Sequence, residues 1–355
     1  MKPLSVFFIS VFGFIGSFGY RFCIVPGMGG SKIYNSKNKT IWPPSNPLQI
    51  KELDLQFENK QLIIPDAYKV GDIDKIKIDN TASYLLTKNV YYSGMIRYLQ
   101  KDKHELFALP YDFRYSVYPK YYQSLYQQYL DFFNNEFTKS KEPFIIVCHS
   151  LGGLVFHHFL TTYVDKEWIK KHVQKVYFIN VPFGGTPISF FTIMDNIPKN
   201  NLLSVSGTPI ISHLSGRIKN LYLFGGFYQT WPLDSTSFYK NKEWILPENM
   251  QDYLEKFPRV LENYQLFKKF HLPHRKTPLG IPTHVIYCTG RNTTKSYDVD
   301  NNINEKVDGD GLIPTSSLLA LKDYWRDTKY TELKGQEHSG VNNYNPLLEM
   351  ISKNS

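Results

Sequence analysis

The stretch FIIVCHSLGG, residues 144–153, determines how the rest of the chain is interpreted. Its first five residues form a continuous apolar run, as expected of a strand buried on both faces of a parallel sheet. Ser150 would then lie in the sharp strand-to-helix turn that presents a reactive hydroxyl in the pattern G-x-S-x-G. Here Cys148 replaces the first glycine. The stretch alone therefore leaves two interpretations, a nucleophile on a strained elbow or an ordinary serine that caps a helix.

Apolar runs alternate with helical patterns on both sides of this stretch. Strands are predicted at 21–25, 106–110, 144–148, 175–180, 283–288 and 330–333, and helices at 91–99, 121–137 and 151–163. This alternation predicts an α/β fold with a mostly parallel sheet and right-handed crossovers. Two long irregular stretches interrupt the alternation. We interpret them as insertions over one end of the sheet, a lid at about 31–85 and a cap at 186–275.

The N-terminus has the layout of a secretory signal peptide. Residues 4–16 form an apolar run of suitable length, and small residues follow at Ser17 and Gly19. We predict that residues 1–19 are removed and that 20–355 form the mature protein; the alternative is a retained N-terminal anchor. We therefore expect the protein to be secreted or to reside in the vacuole or lysosome.

The secretory prediction has consequences for modification and for the cysteines. Asn38 and Asn292 begin N-x-T sequons, so the protein would be a glycoprotein. The three cysteines, Cys23, Cys148 and Cys288, all lie in strand-like runs. Buried free thiols are therefore expected rather than a disulfide framework.

The charge balance indicates the kind of surface that the protein meets. A net charge of +9 attracts anionic partners. The basic residues are scattered, and no zinc-finger or RNP motif is present, so we do not expect nucleic acid as a partner. A secreted route favours the anionic headgroups of a phospholipid membrane instead.

A serine nucleophile needs a base, and the base needs an acid that orients it. On this type of sheet the expected chain order is serine, acid, histidine. The glycine-flanked segment VDGDG offers Asp310, or alternatively Asp308, as the acid. His338 in GQEHSG follows the last predicted strand, which makes it the candidate base among ten histidines.

The tetrahedral intermediate of acyl transfer needs two backbone N–H donors. The residue after the nucleophile, Leu151, supplies one of them. Met28, in the turn VPGMGGS at 25–31 that follows an early strand, is the candidate for the other. A phosphate-cradling loop is the competing interpretation, but no lysine occupies the P-loop position.

One segment hints at a metal site. Asp298, Asp300 and Asn302 have the spacing of a calcium loop, but Ile303 replaces the glycine expected next. We interpret 298–308 as a solvated loop and expect neither a metal nor a cofactor.

Several motifs occur in a fixed order along the chain. They are IVPGMGGSKI, ALPYDFRYS, CHSLGG, VPFGGTP, THVIYCTGRNTTKSYD, VDGDGLIPTSSLLAL and GQEHSG. Together they resemble the lecithin:cholesterol acyltransferase-like family, which includes lysosomal-type phospholipases A and phospholipid:diacylglycerol acyltransferases. The resemblance runs from about Arg21 to the end of the chain. It implies an α/β-hydrolase core with a cap and a small membrane-binding lid.

The resemblance also implies roles for individual residues. Ser150 would be the nucleophile, Asp310 and His338 would complete the triad, and Met28 and Leu151 would form the oxyanion hole. The family's aspartate directly follows the glycine of its GD turn, and this selects Asp310 as the acid. The implied chemistry is removal of a fatty acyl chain from a glycerophospholipid. Water, a sterol or diacylglycerol would then accept the acyl group.

Two features depart from the family pattern. Cys148 replaces the first elbow glycine, and the lid lacks the cysteines that often clamp it in this family. Trp42, beside two prolines, would either contact lipid or pack the turn, and packing is favoured. The alternatives to a phospholipid substrate are a neutral-lipid lipase or esterase of the same fold, or a catalytically inactive lipid-binding protein.

Overall fold

The computed structural model describes residues 19–35, 37, 39–44, 47–65, 71–72, 91–102, 104–196, 218–233, 238–240, 243–245, 250–298 and 303–353. Residues 1–18 of the predicted signal peptide and the Asn38 sequon position lie outside the described residues, as do parts of the predicted lid and cap. Within the described residues, no helix combines the length and apolar character needed to cross a bilayer.

The strands and helices follow the alternation expected of an α/β protein. In chain order the strands are β1 (Arg21–Val25), β2 (Ile33–Tyr34), β3 (Thr40–Trp42), β4 (Phe57–Glu58), β5 (Gln61–Leu62), β6 (Gly71–Asp72), β7 (Glu105–Ala108), β8 (Phe144–His149), β9 (Val173–Ile179), β10 (Phe238–Lys240), β11 (Glu243–Ile245), β12 (Thr283–Thr289), β13 (Arg291–Asp298), β14 (Ile303–Gly309) and β15 (Lys329–Lys334).

The helices are α1 (Ser93–Lys101), α2 (Pro119–Ser140), α3 (Leu151–Thr162), α4 (Lys166–His172), α5 (Pro187–Asn196), α6 (Gly225–Gln229), α7 (Met250–Leu254), α8 (Pro258–Leu266), α9 (Thr315–Leu318) and α10 (Asn345–Lys353). Short 3₁₀ turns occupy Pro47–Leu53, Leu221–Leu223, Leu272–His274 and Gly340–Asn343, and a π turn occupies Phe267–His271.

Seven strands form the central sheet, in the order β15-β12-β9-β8-β1-β7-β6. All neighbours are parallel except the β6–β7 pair at one edge. The chain places β7 on one side of β1 and then β8 on the other side. The carboxyl ends of β1 and β8 therefore lie side by side where the winding reverses, the position at which α/β sheets bind ligands. There Val25 is in register with Cys148.

The core explains why β8 and α3 are apolar on all sides. Every residue of β8 is buried, as is every residue of α3 from Leu151 to Leu160. A strand inside a parallel sheet and a helix covered on all faces have no solvent side that would favour polar residues. The helix α2 covers α3 with an aromatic face, and the rings of Tyr129 and Phe159 meet edge to face at 5.6 Å. Burial of one such ring stabilises the fold by about 1.5–3 kcal/mol.

The strands predicted for the core are confirmed, but one predicted loop is wrong. Residues 303–308, interpreted from the sequence as part of a solvated loop, belong to β14, which pairs antiparallel with β13. Residues 299–302 of the calcium-like segment lie outside the described residues. The hairpin was missed because its strands are mostly polar, so their alternation gives no apolar period to recognise.

The described parts of the lid and the cap contact each other and the core. Asp54 Oδ1 in the lid accepts hydrogen bonds from the Asn220 backbone N–H and side-chain amide in the cap, both at 3.0 Å. The buried Arg114 guanidinium pairs with Asp112 at 2.6 Å and donates to the Leu53 carbonyl of the lid at 3.0 Å. The ALPYDFRYS motif thus anchors the lid to the sheet.

Candidate active site

Ser150 lies on a strained turn between β8 and α3. Its φ of 52° and ψ of −132° lie in a region that residues with a Cβ rarely adopt. The turn is held by the Ser150 N–H, which donates to the Ile179 carbonyl at 3.0 Å. This is the elbow geometry that the stretch FIIVCHSLGG predicts, and it removes the interpretation of Ser150 as an ordinary capping serine, since no side-chain cap bond is made to α3.

The elbow requires glycines where backbone segments nearly touch. A Cβ on Gly152 would lie 2.3 Å from the Pro26 carbonyl oxygen and 2.6 Å from that of Val25. A Cβ on Gly27 would lie 2.9 Å from the Ser150 Cβ. The loop after β1 therefore lies directly against the elbow, with no room for side chains between them.

We expect Gly152→Ala to destabilise the protein by about 3 kcal/mol or more, because the added methyl group would meet backbone oxygens that cannot rotate away. Urea unfolding would measure the loss. Gly340→Ala is the matched control, since its added methyl group would approach nothing closer than 3.7 Å. A change of less than about 0.5 kcal/mol is expected for the control. Equal stability of the two variants would contradict the close approach at Gly152.

Cys148 fits the elbow position where the usual pattern has glycine. The side chain is fully buried and belongs to the hydrophobic core below the sheet edge. Burial raises the pKa of the Cys148 thiol well above its ordinary value. The residue is therefore a neutral packing group, and the departure from G-x-S-x-G does not distort the turn.

The structure brings the three predicted side chains Ser150, His338 and Asp310 into one hydrogen-bonded line. His338 Nε2 lies 2.9 Å from Ser150 Oγ, and His338 Nδ1 lies 2.6 Å from Asp310 Oδ2. A carboxylate only accepts, so the Nδ1–H donates to Asp310 and Nε2 accepts from the serine hydroxyl. All three residues are at most 8% exposed, so little solvent competes for these bonds.

The geometry also separates the two candidate acids. Asp310 Oδ1 accepts from the N–H groups of Leu312 and Ile313 at 2.9 and 2.7 Å, which leaves Oδ2 directed at the histidine. Asp308 is exposed, and its carboxylate accepts from Gly290 N–H and from the Thr315 hydroxyl. Of the two acids, Asp310 contacts His338 and Asp308 does not.

Sequence reasoning missed Asn180, which holds the backbone of the histidine loop. Asn180 is fully buried with φ of 47°, and its Nδ2 donates to the His338 carbonyl at 3.2 Å. Its Oδ1 accepts from Cys288 N–H at 2.8 Å. The available signal was an asparagine at the end of a buried strand, where an apolar residue would be expected.

The two predicted oxyanion-hole residues lie on the helix that follows Ser150 and on the loop that follows β1. Leu151 is the first residue of α3, and first-turn N–H groups have no acceptor within the helix. Met28 lies in the turn closed by the Gly30 N–H bond to the Gly27 carbonyl at 2.9 Å. The Leu151 and Met28 side chains meet at Gly226 of α6, where an added Cβ would lie 2.8 and 2.9 Å from them. The cap thus covers both residues.

Trp42 packs inside the protein, in agreement with the favoured interpretation. It is 4% exposed, and its Nε1–H donates to the Gly29 carbonyl at 2.6 Å. Its ring packs against Phe113 with the centroids 6.2 Å apart. The lipid-contact interpretation is therefore not supported, because the indole is occupied by the loop that carries Met28.

The parallel sheet, the elbow after β8 and the chain order serine, aspartate, histidine define a protein of the α/β-hydrolase fold.

Comparison with known proteins adds a similarity at the level of sequence. The family model of lecithin:cholesterol acyltransferase matches residues 40–203. "Lecithin-cholesterol acyltransferase-like 1" of Arabidopsis thaliana is 25% identical over 74% of this chain and 64% of its own length. "Phosphatidylcholine-sterol acyltransferase" of Rattus norvegicus is 22% identical over 78% of this chain and 60% of its own. These matches show that the chain is similar to lecithin:cholesterol acyltransferases, and the chain spans less than two thirds of the length of either relative.

Among solved structures, a carboxylesterase structure from the thaumarchaeon Nitrososphaera gargenis is similar at 11% identity and a TM-score of 0.40. The similarity covers 95% of this chain and 92% of the other.

Proposed function

We propose that the protein is a serine acyl hydrolase or acyltransferase that removes a fatty acyl chain from a glycerophospholipid through an acyl-Ser150 intermediate. The observation that carries the proposal is the line of contacts from Ser150 Oγ through His338 to Asp310, at 2.9 and 2.6 Å, on a strained elbow. The match of residues 40–203 to the family model of lecithin:cholesterol acyltransferase supports acyl transfer as the reaction class.

In the first half-reaction, Ser150 Oγ attacks the ester carbonyl carbon while His338 Nε2 takes the hydroxyl proton. Asp310 stabilises the imidazolium that forms, because its carboxylate accepts the Nδ1–H. The carbonyl oxygen becomes an oxyanion, for which the N–H groups of Met28 and Leu151 are the proposed donors. Collapse breaks the ester C–O bond, and the leaving alkoxide takes the proton from His338.

In the second half-reaction an acceptor hydroxyl attacks the acyl-serine. His338 removes its proton and returns a proton to Ser150 Oγ, so the free enzyme is regenerated. Water gives a fatty acid, whereas a sterol or diacylglycerol gives a new ester. We favour water, because hydrolysis needs no second lipid-binding pocket.

The proposed partner is the surface of an anionic phospholipid membrane. The net charge of +9 supports this, and so does the described part of the lid, where the exposed Lys60 comes three residues before Ile63, a large apolar residue that is 44% exposed. An exposed apolar side chain and an exposed cation in one short segment suit the boundary between headgroups and acyl chains. The N-terminal apolar run supports a place in the secretory pathway, as a secreted, vacuolar or lysosomal glycoprotein.

Product analysis on phosphatidylcholine vesicles tests the proposal. We expect equal amounts of fatty acid and lysophospholipid, and added sterol or diacylglycerol should leave most of the acyl chain on water. A dominant steryl ester or triacylglycerol product would make transfer the main reaction. Acyl release from triacylglycerol emulsions without release from phosphatidylcholine would favour the alternative function, a neutral-lipid lipase.

A further inference from the structure

His149, the residue before the nucleophile, is buried and bonded through both ring nitrogens. Its Nδ1 lies 3.0 Å from the Tyr92 hydroxyl, and its Nε2 lies 2.9 Å from the His338 carbonyl oxygen. The Tyr92 hydroxyl also accepts from Gly27 N–H at 2.8 Å. A continuous chain of hydrogen bonds therefore joins the loop that carries Met28 to the backbone of the base.

The direction of each bond in this chain is fixed. A carbonyl oxygen only accepts, so His149 must carry its proton on Nε2. In the neutral ring Nδ1 is then an acceptor, and the Tyr92 hydroxyl donates to it. Burial, together with the nearby His338, lowers the pKa of His149 to about 3, so the ring stays neutral. Only one arrangement of protons satisfies all three bonds.

The His338 carbonyl is held twice. His149 Nε2–H and Asn180 Nδ2–H both donate to it, at 2.9 and 3.2 Å, which occupies both lone pairs of the oxygen. The His338 N–H donates to the Asp310 carbonyl at 3.0 Å. Both polar backbone groups of the base are thus fixed from buried positions.

We propose that Tyr92 and His149 are positioning residues that hold the His338 backbone and the loop after β1 in fixed relation to Ser150. The inference rests on the proposed function, which gives His338 and that loop their roles as base and oxyanion donor. Neither residue exchanges a proton with substrate. Their effect is on the placement of two groups that must act on the same carbonyl, and a shift of about 1 Å in such groups can cost about 100-fold in rate.

Two substitutions at His149 separate the two halves of this hydrogen-bond chain. In His149→Gln the amide nitrogen can occupy the position of Nε2 and keep the bond to His338. In His149→Asn the shorter side chain keeps an acceptor near Nδ1 but loses that bond. We expect His149→Asn to lower kcat by about 10- to 100-fold with little change in KM, and His149→Gln to recover most of the loss. Tyr92→Phe, which removes only a hydroxyl, should lower kcat by about 10-fold.

A second tyrosine–histidine pair supplies the matched control. The Tyr126 hydroxyl lies 2.9 Å from His158 Nδ1, and His158 Nε2 lies 2.7 Å from the Phe270 carbonyl. This pair is also buried but bonds to the cap rather than to the base. Tyr126→Phe and His158→Asn should change kcat by less than about two-fold while removing the same chemical groups.

The rate of Ser150 labelling by a fluorophosphonate should be measured together with acyl release. Labelling needs the base and the oxyanion donors but no phospholipid, so a wild-type protein that labels without releasing acyl chains would overturn the proposed substrate and leave this inference testable. Unchanged labelling and kcat in both His149→Asn and Tyr92→Phe would overturn the inference. Equal losses in the Tyr126 and His158 variants would do so too, since they would show a general effect of core damage.

Discussion

Replacing Ser150 with alanine is expected to lower the rate of acyl release by about 10⁵- to 10⁶-fold, because the variant cannot form the acyl-enzyme. The remaining turnover would come from substrate binding and the oxyanion donors alone. Among the described residues, the Ser150 hydroxyl bonds to His338 alone, so its loss should leave the fold intact. Acyl release from phosphatidylcholine vesicles and labelling by a fluorophosphonate both measure the effect.

Ser339→Ala is the matched control for this prediction. Ser339 follows the base directly along the chain, and the structure gives its hydroxyl no bond to Ser150, His338 or Asp310. Release within about two-fold of the wild type is expected. Undiminished release by the Ser150 variant would end the acyl-serine mechanism, and failure of the wild type to label would instead support an inactive lipid-binding protein.

The sequence predicts the parts of this site that depend on local pattern. The apolar runs gave β1, β8, β9 and β12 to within two residues at each end, and the glycines of the elbow follow from how closely its segments approach. The serine, the acid and the histidine could be assigned from their order along the chain, because each lies in a connection that follows a strand of the parallel sheet, and the loops after parallel strands meet at one edge of the sheet. The β13–β14 hairpin escaped this reasoning because polar strands carry no apolar period.

What the sequence could not supply depends on long-range packing. Tyr92 reaches His149 across 57 positions of sequence, and Asn180 reaches His338 across 158. No local pattern marks a buried hydroxyl or amide as the partner of a distant carbonyl. Trp42 shows the same limit, since its neighbours in sequence suggested a turn but not that the turn packs on Gly29.

Asp310→Asn is expected to lower kcat by about 10⁴-fold with little effect on KM. The carboxylate holds the Nδ1–H of His338 at 2.6 Å and stabilises the imidazolium formed when Ser150 loses its proton. An amide can present its NH₂ to the ring instead, which favours the tautomer with its proton on Nε2 and so blocks acceptance of the serine proton. The two hydrogen bonds to Oδ1 should be kept, because the amide oxygen can still accept from the N–H groups of Leu312 and Ile313. The kcat on phosphatidylcholine vesicles and the free energy of unfolding should both be measured, so that a loss of catalysis can be distinguished from a loss of stability.

Asp308→Asn provides a stringent comparison, since it makes the same chemical change two residues away, near the end of β14. Its side chain is exposed and bonded to Gly290 and Thr315, and it does not touch His338. We expect kcat within about three-fold of the wild type, with stability reduced by less than about 1 kcal/mol because the amide oxygen keeps one of the two bonds. If Asp308→Asn lost as much activity as Asp310→Asn, the turn as a whole rather than one carboxylate would set the rate, and the role of Asp310 as the orienting acid would have to be abandoned.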